Sequence, residues 1–67
     1  MPVIQITVVE GRDSERVEAC IREVARVVSE TLDAPLPSIR VMVHEVPANR
    51  FAVGTRLKSD PAPETAA

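Results

Sequence analysis

Two runs rich in β-branched residues bracket a single stretch of helical periodicity, and little chain is left over to build anything else. Residues Val3 to Val9 read Val-Ile-Gln-Ile-Thr-Val-Val and end at Glu10-Gly11, the composition and punctuation of a strand. Ile4, Ile6 and Val8 share one of its faces, and Val3, Gln5, Thr7 and Val9 the other. A second strand is predicted over Ser38 to Val46. Between them Val17, Cys20, Ile21, Val24, Val27, Val28, Thr31 and Leu32 recur at helical spacing, with Arg16, Glu18, Arg22, Glu23, Arg26 and Glu30 opposite. Asp13 suits the helix N-cap and Glu15 its first turn. The helix should stop near Leu32, because Pro35 disfavours helical geometry at Ala34. Pro47-Ala48-Asn49 predicts a turn, and Arg50 to Val53 a short extended piece closed by Gly54.

Strand, helix, strand is an α/β pattern: one βαβ unit with parallel strands, a right-handed crossover and a short C-terminal hairpin. This unit covers residues 1–57; residues 58–67 read as a disordered tail. A chain of 67 residues buries a modest core and is marginal alone. Cys20 is the single cysteine, so no disulfide closes within the chain, and His44 is the single histidine, so no Cys/His metal cluster forms. Two strands and one helix cannot hide both faces of a sheet. Oligomerisation is the remaining way to complete it.

The formal net charge is −2, from 8 basic and 10 acidic residues without a block of one sign, which argues against nucleic acid as the main partner. Phe51 is the one aromatic residue, too little for a base-stacking surface. The N-terminus lacks the basic flank and apolar core of a secretory signal, and no apolar run is long enough to cross a membrane. A cytoplasmic protein is expected.

The motifs, in order, are Met-Pro-Val-Ile-Gln-Ile at the start, Glu10-Gly11-Arg12, Ile21-Arg22-Glu23-Val24, Leu32-Asp33-Ala34-Pro35-Leu36, Ser38-Ile39-Arg40-Val41, and Phe51. In this order and spacing, from Pro2 to about Leu57, the chain resembles the 4-oxalocrotonate tautomerase family. The resemblance implies a βαβ subunit in a hexamer, usually a trimer of dimers, either a homohexamer or one containing a second related chain. It implies an isomerase that shifts a proton in unsaturated 2-hydroxy or 2-keto acids such as 2-hydroxymuconate, with neither metal nor organic cofactor. Pro2 matches the family's catalytic N-terminal proline, Arg12 and Arg40 its two substrate-binding arginines, and Phe51 its active-site phenylalanine.

The chemistry suits these residue types. A proton shuttle works best with a pKa near operating pH. Proline at a free N-terminus is a rigid secondary amine, whereas inside a chain its nitrogen is a non-basic amide, so the reading requires removal of Met1. An ordinary α-amino group titrates at roughly 7.7–8.0, and a secondary amine is more basic. Arg12 and Arg40 would oppose a second positive charge, and apolar Phe51 and Val9 would disfavour it by desolvation. The same arginines would hold carboxylates through paired hydrogen bonds and stabilise a dienolate oxygen. By the resemblance, Arg40 serves the enol end and Arg12 the far carboxylate. Pro2 and Arg12 lie at opposite ends of the first strand, roughly 23 Å apart at about 3.3 Å per residue. A small diacid cannot bridge that distance, so each site is expected to be shared between subunits through an antiparallel neighbour.

Two positions depart from the family. Ala52 stands where glycine is frequent. Val53 occupies the region where hydrating relatives, the chloroacrylate dehalogenases, carry a water-activating glutamate, a role its side chain cannot play. Plainer readings stand beside the sharp ones. Met-Pro starts are common, Arg12 could be a solvated loop residue, and Phe51 could be hairpin core. Arg40 opening an apolar strand is harder to dismiss, because a buried charge needs a partner. Cys20 reads as packing on the apolar side of the helix and His44 as a strand-edge or interface residue. Glu10 and Glu45 have no spacing that makes them a pair, and the Arg/Glu helix face reads as solvated. The rival functions are a hydratase or biosynthetic enzyme of the same fold and a non-catalytic oligomer subunit.

Overall fold

The computed structural model describes residues 1–61. Strand β1 (Val3–Val9), helix α1 (Ser14–Leu32), strand β2 (Arg40–Val46) and a hairpin of β3 (Ala52–Val53) and β4 (Arg56–Leu57) follow in chain order. β1 and β2 pair in parallel, with Val3 opposite Arg40 and Val9 opposite Val46. β3 and β4 pair antiparallel. This is the α/β architecture expected: one βαβ unit with a short C-terminal hairpin.

Local chemistry sets the ends of each element. Asp13 takes the extended conformation of an N-cap, and its carbonyl accepts the Val17 N–H at 3.1 Å, although its carboxylate makes no capping bond. At the other end Asp33 adopts the left-handed conformation (φ 53°), and its N–H and that of Ala34 both reach the Ser29 carbonyl. The Ser29 hydroxyl closes this cap by donating to the Ala34 carbonyl at 2.6 Å. Glycine usually fills such a position; a short polar side chain is among the few that tolerate it.

The second strand begins at Arg40 rather than Ser38. Leu36–Ser38 forms a 3-10 turn, in which the Ser38 N–H (2.9 Å) and hydroxyl (2.7 Å) both donate to the Pro35 carbonyl. Ile39 closes the turn through its N–H to Leu36 at 3.0 Å, so Arg40 is the first residue free to join the ladder. A second 3-10 turn, Ala48–Arg50, precedes the hairpin. Lys58 and Ser59, read from the sequence as the start of a disordered tail, return their N–H groups to Phe51 and Ala48. The rest of that expected tail, residues 62–67, lies outside the described residues.

Ile4, Ile6 and Val8 of β1 and Val41 and Val43 of β2 are half-buried against Val17, Ile21, Val24 and Val28 of α1. Ile39 is the one buried hydrophobic residue among those described, at 9% exposure. The opposite sheet face is bare: Val3 is 52% and Met42 47% exposed. The helix face that meets the strands is also narrower than its apolar spacing suggests. Cys20 is exposed, not packed, and Val27 and Leu32 are exposed too. At about 100° per residue, Cys20, Val27 and Thr31 fall together on a flank turned away from the Val17–Ile21–Val28 line. No helix among the described residues is long and apolar enough to cross a membrane.

Candidate active site

The parallel register brings the start of β1 beside the start of β2. The Arg40 N–H donates to the Pro2 carbonyl at 3.0 Å, one rung beyond the Val3–Arg40 pair. The Arg40 guanidinium folds over the preceding turn, its Nη1 donating to the Pro37 carbonyl at 2.7 Å and more weakly to that of Ile39 at 3.4 Å. Arg40 is exposed, so its charge is solvated rather than buried, as the strand's apolar composition suggested it would be. Two bonds, both from Nη1, use part of the guanidinium's five donors. Arg40 lines an apolar groove of about 500 Å³ with Val3, Ile21, Ile39, Val41 and Met42. Met1 precedes Pro2 here and is 80% exposed, within easy reach of solvent.

Arg12 lies at the far end of β1. The ladder there ends with the Glu10 N–H on the Val46 carbonyl at 2.9 Å. Gly11 then turns the chain with φ +116°, a conformation L side chains rarely adopt, and delivers Arg12 to the residue before the helix cap. Arg12 borders an open groove of about 600 Å³ with Ile6, Val8, Arg16, Val17 and Cys20, which neither Pro2 nor Arg40 touches. Val9 is half-buried at this end of β1, opposite Val46.

Phe51 follows the turn that leaves β2, so it belongs to the Val9–Val46 end of the sheet, and it is 36% exposed. The Lys58 N–H donates to the Phe51 carbonyl at 2.8 Å, which sets Lys58 across the hairpin base from it. Gly54, at φ +62°, makes the turn between β3 and β4. The expected site residues thus separate into two groups within one chain: Pro2 with Arg40 at one end, and Val9, Arg12 and Phe51 toward the other.

Among the described residues neither Arg12 nor Arg40 enters an ion pair. The pairs present lie on the outer face of α1, where Arg26 binds Glu23 and Glu30 and Arg22 lies 4.0 Å from Glu18. The Arg26 guanidinium, hydrogen-bonded to Glu23, holds that carboxyl below its ordinary range, and the two carboxylates raise the Arg26 pKa. This face is charged and solvated, as the Arg/Glu pattern indicates. Arg12 and Arg40 stand at opposite ends of the sheet.

A sequence model of the family described as "Tautomerase enzyme" matches residues 2–60, nearly the whole chain. The chain belongs to the tautomerase family. A 2-hydroxymuconate tautomerase of Pseudomonas putida is 46% identical over 59 residues, 88% of this chain and 94% of that protein. Among tautomerase structures, a 4-oxalocrotonate tautomerase homologue superposes with a TM-score of 0.85 at 32% identity, covering 94% of this chain and all of the other. A chain of a heterohexameric 4-oxalocrotonate tautomerase from Chloroflexus aurantiacus superposes with a TM-score of 0.84 at 28% identity, over 90% of this chain and 97% of its own. The protein is an isomerase, a tautomerase catalysing keto-enol conversion.

For a tautomerase, two features of this surface were illegible in the sequence. One is the Pro37 carbonyl that seats the Arg40 guanidinium, because a backbone acceptor leaves no mark on residue identity. The other is Lys58 beside Phe51: the Pro-rich composition after it reads as tail, and only the cross-hairpin bond brings it back.

Proposed function

We propose that this tautomerase moves a proton within a short unsaturated 2-hydroxy or 2-keto acid such as 2-hydroxymuconate, with Pro2 as general base once Met1 is removed. The observation that carries this reading is the backbone pairing of Pro2 with Arg40, which sets the residue of the candidate base beside an exposed arginine. The Pro2 nitrogen takes the enol proton as that O–H bond breaks. A carbonyl forms, the two C=C bonds become one shifted C=C bond, and the proton returns to the distal carbon as a new C–H bond. Arg40 holds the near carboxylate and the developing oxyanion. Arg12, with Val9 and Phe51 as apolar walls, holds the far end. No cofactor enters the reaction, and the enzyme works in the cytoplasm.

The separation of the two residue groups supports a site shared between subunits, in which a neighbour's Arg12 completes the Pro2 end. The bare sheet face bearing Val3 and Met42, and a core in which Ile39 is the one buried hydrophobic residue among those described, support assembly as a homohexameric trimer of dimers. The likeness to a heterohexamer chain keeps a mixed assembly as the second reading.

The test starts with intact mass, to obtain protein that begins at Pro2, followed by an ultraviolet assay of 2-hydroxymuconate conversion. Turnover that falls about 10²-fold or more in Pro2→Ala supports the base assignment. Full activity in a species that retains Met1, in Pro2→Ala, or in Arg12→Ala and Arg40→Ala together overturns it.

A further inference from the structure

Two cationic residues are backbone neighbours of Phe51. Arg50 precedes it in the chain, its Nη1 donating only to the neighbouring Asn49 carbonyl at 3.0 Å. Lys58 faces it across the hairpin base, its N–H on the Phe51 carbonyl at 2.8 Å. Both are exposed, and among the described residues neither enters an ion pair. Asp60, just past β4, accepts the Leu57 N–H at 2.8 Å. The third hairpin cation, Arg56, sits one rung further out, opposite Val53, and turns toward the Pro61 carbonyl at 3.0 Å. The segment from Arg50 to Lys58 thus carries basic residues and no acid, whereas the chain as a whole carries −2.

We propose that Arg50 and Lys58 determine specificity, selecting doubly charged dicarboxylates over monocarboxylates at the Phe51 side of the site. This deepens the proposed function and rests on Phe51 lining the site. A bare cation pair at a partly apolar wall attracts an anion before contact and lowers the energy of one already bound, and a dianion gains twice what a monoanion does. The pair contacts no reacting atom in this scheme. Its signature is therefore a discrimination ratio that depends on ionic strength.

The experiment compares kcat/KM for 2-hydroxymuconate with kcat/KM for 2-hydroxypentadienoate, the analogue lacking the distal carboxylate, in wild type and in the Arg50→Gln/Lys58→Gln double variant. Mass confirms the Pro2 start, and size-exclusion chromatography confirms assembly. At low salt the dicarboxylate preference should fall about three- to tenfold in the double variant, and the gap should close near 0.5 M salt, where screening is about 4 Å. Arg56→Gln, the loss of one charge further from Phe51, should move the ratio less than Arg50→Gln or Lys58→Gln alone. An unchanged ratio, an equal fall for both substrates, or an equal effect from Arg56→Gln overturns the proposal. Wild-type protein inert toward both dienols instead removes the proposed substrate and with it the proposed function. If the double variant fails to assemble, Arg50→Lys with Lys58→Arg keeps the charge and should retain the preference; loss of preference there also overturns it.

Discussion

The Arg40 N–H donates to the Pro2 carbonyl across 3.0 Å, so main chain, not side chain, holds these two residues together. A change of the Arg40 side chain therefore leaves Pro2 where it is. Arg40→Gln should lower kcat for 2-hydroxymuconate about 10²–10³-fold, the usual cost of losing an oxyanion donor, with an unaltered circular dichroism spectrum. Arg40→Lys should recover only part, because an ammonium cannot reproduce the planar fork. Steady-state kinetics on both variants decide it, and an Arg40→Gln enzyme within twofold of wild type removes Arg40 from the reaction.

Gly11 turns the chain with φ +116°, and a Cβ added there would meet nothing within 4 Å. The penalty of Gly11→Ala is thus backbone strain alone, about 1–3 kcal/mol. Thermal unfolding of the variant should show a lower midpoint. Because Gly11 aims Arg12, the KM for a dicarboxylate should rise as well. A variant as stable and as active as wild type contradicts both.

Asp33 caps α1 in the left-handed conformation and places a negative charge at the carbonyl end of the helix. Both features cost stability relative to glycine. Asp33→Gly should stabilise the fold by about 1 kcal/mol, after the extra freedom of glycine in the unfolded chain is subtracted. Denaturant titration measures this; a lower midpoint would mean that the Asp33 side chain has a favourable partner.

Glu23 has its carboxyl held below the ordinary value of 4.5 by its hydrogen bond to Arg26. A depressed acid stabilises the fold above its unfolded pKa and loses that contribution as pH falls through the folded value. Arg26 is shifted upward and stays charged throughout that range, so Glu23 is the member of this pair that titrates. Glu23→Gln should therefore melt slightly below wild type at neutral pH, with the two curves meeting in acid. Salt should narrow the gap, since both side chains are solvated.

The strands, the helix and their parallel order were legible because each rests on local periodicity and on proline and glycine signals that act within a few residues. The late start of β2 was not, because it depends on the Ser38 hydroxyl and N–H converging on the Pro35 carbonyl. Cys20 was misjudged for a geometric reason: apolar spacing marks every face a helix will bury, including a flank such as Cys20–Val27–Thr31 that the chain's own strands do not reach. The candidate site was legible residue by residue, through resemblance, and the expected split between Pro2 and Arg12 followed from strand length. The reach of Lys58 back to Phe51 was not, since a two-residue strand pair leaves almost no periodic signal.

Because β1 and β2 run in the same direction, one chain carries Pro2 and Arg40 on one rim and Arg12 on the other, and damage to either rim leaves the other whole. On the shared-site reading, two dead proteins can rescue each other. Chains with Pro2→Ala, unfolded and reassembled together with chains with Arg12→Ala, regain turnover wherever an intact half meets an intact half. Complementation between alleles, and poisoning of good chains by bad ones, would then be built into the direction of two strands.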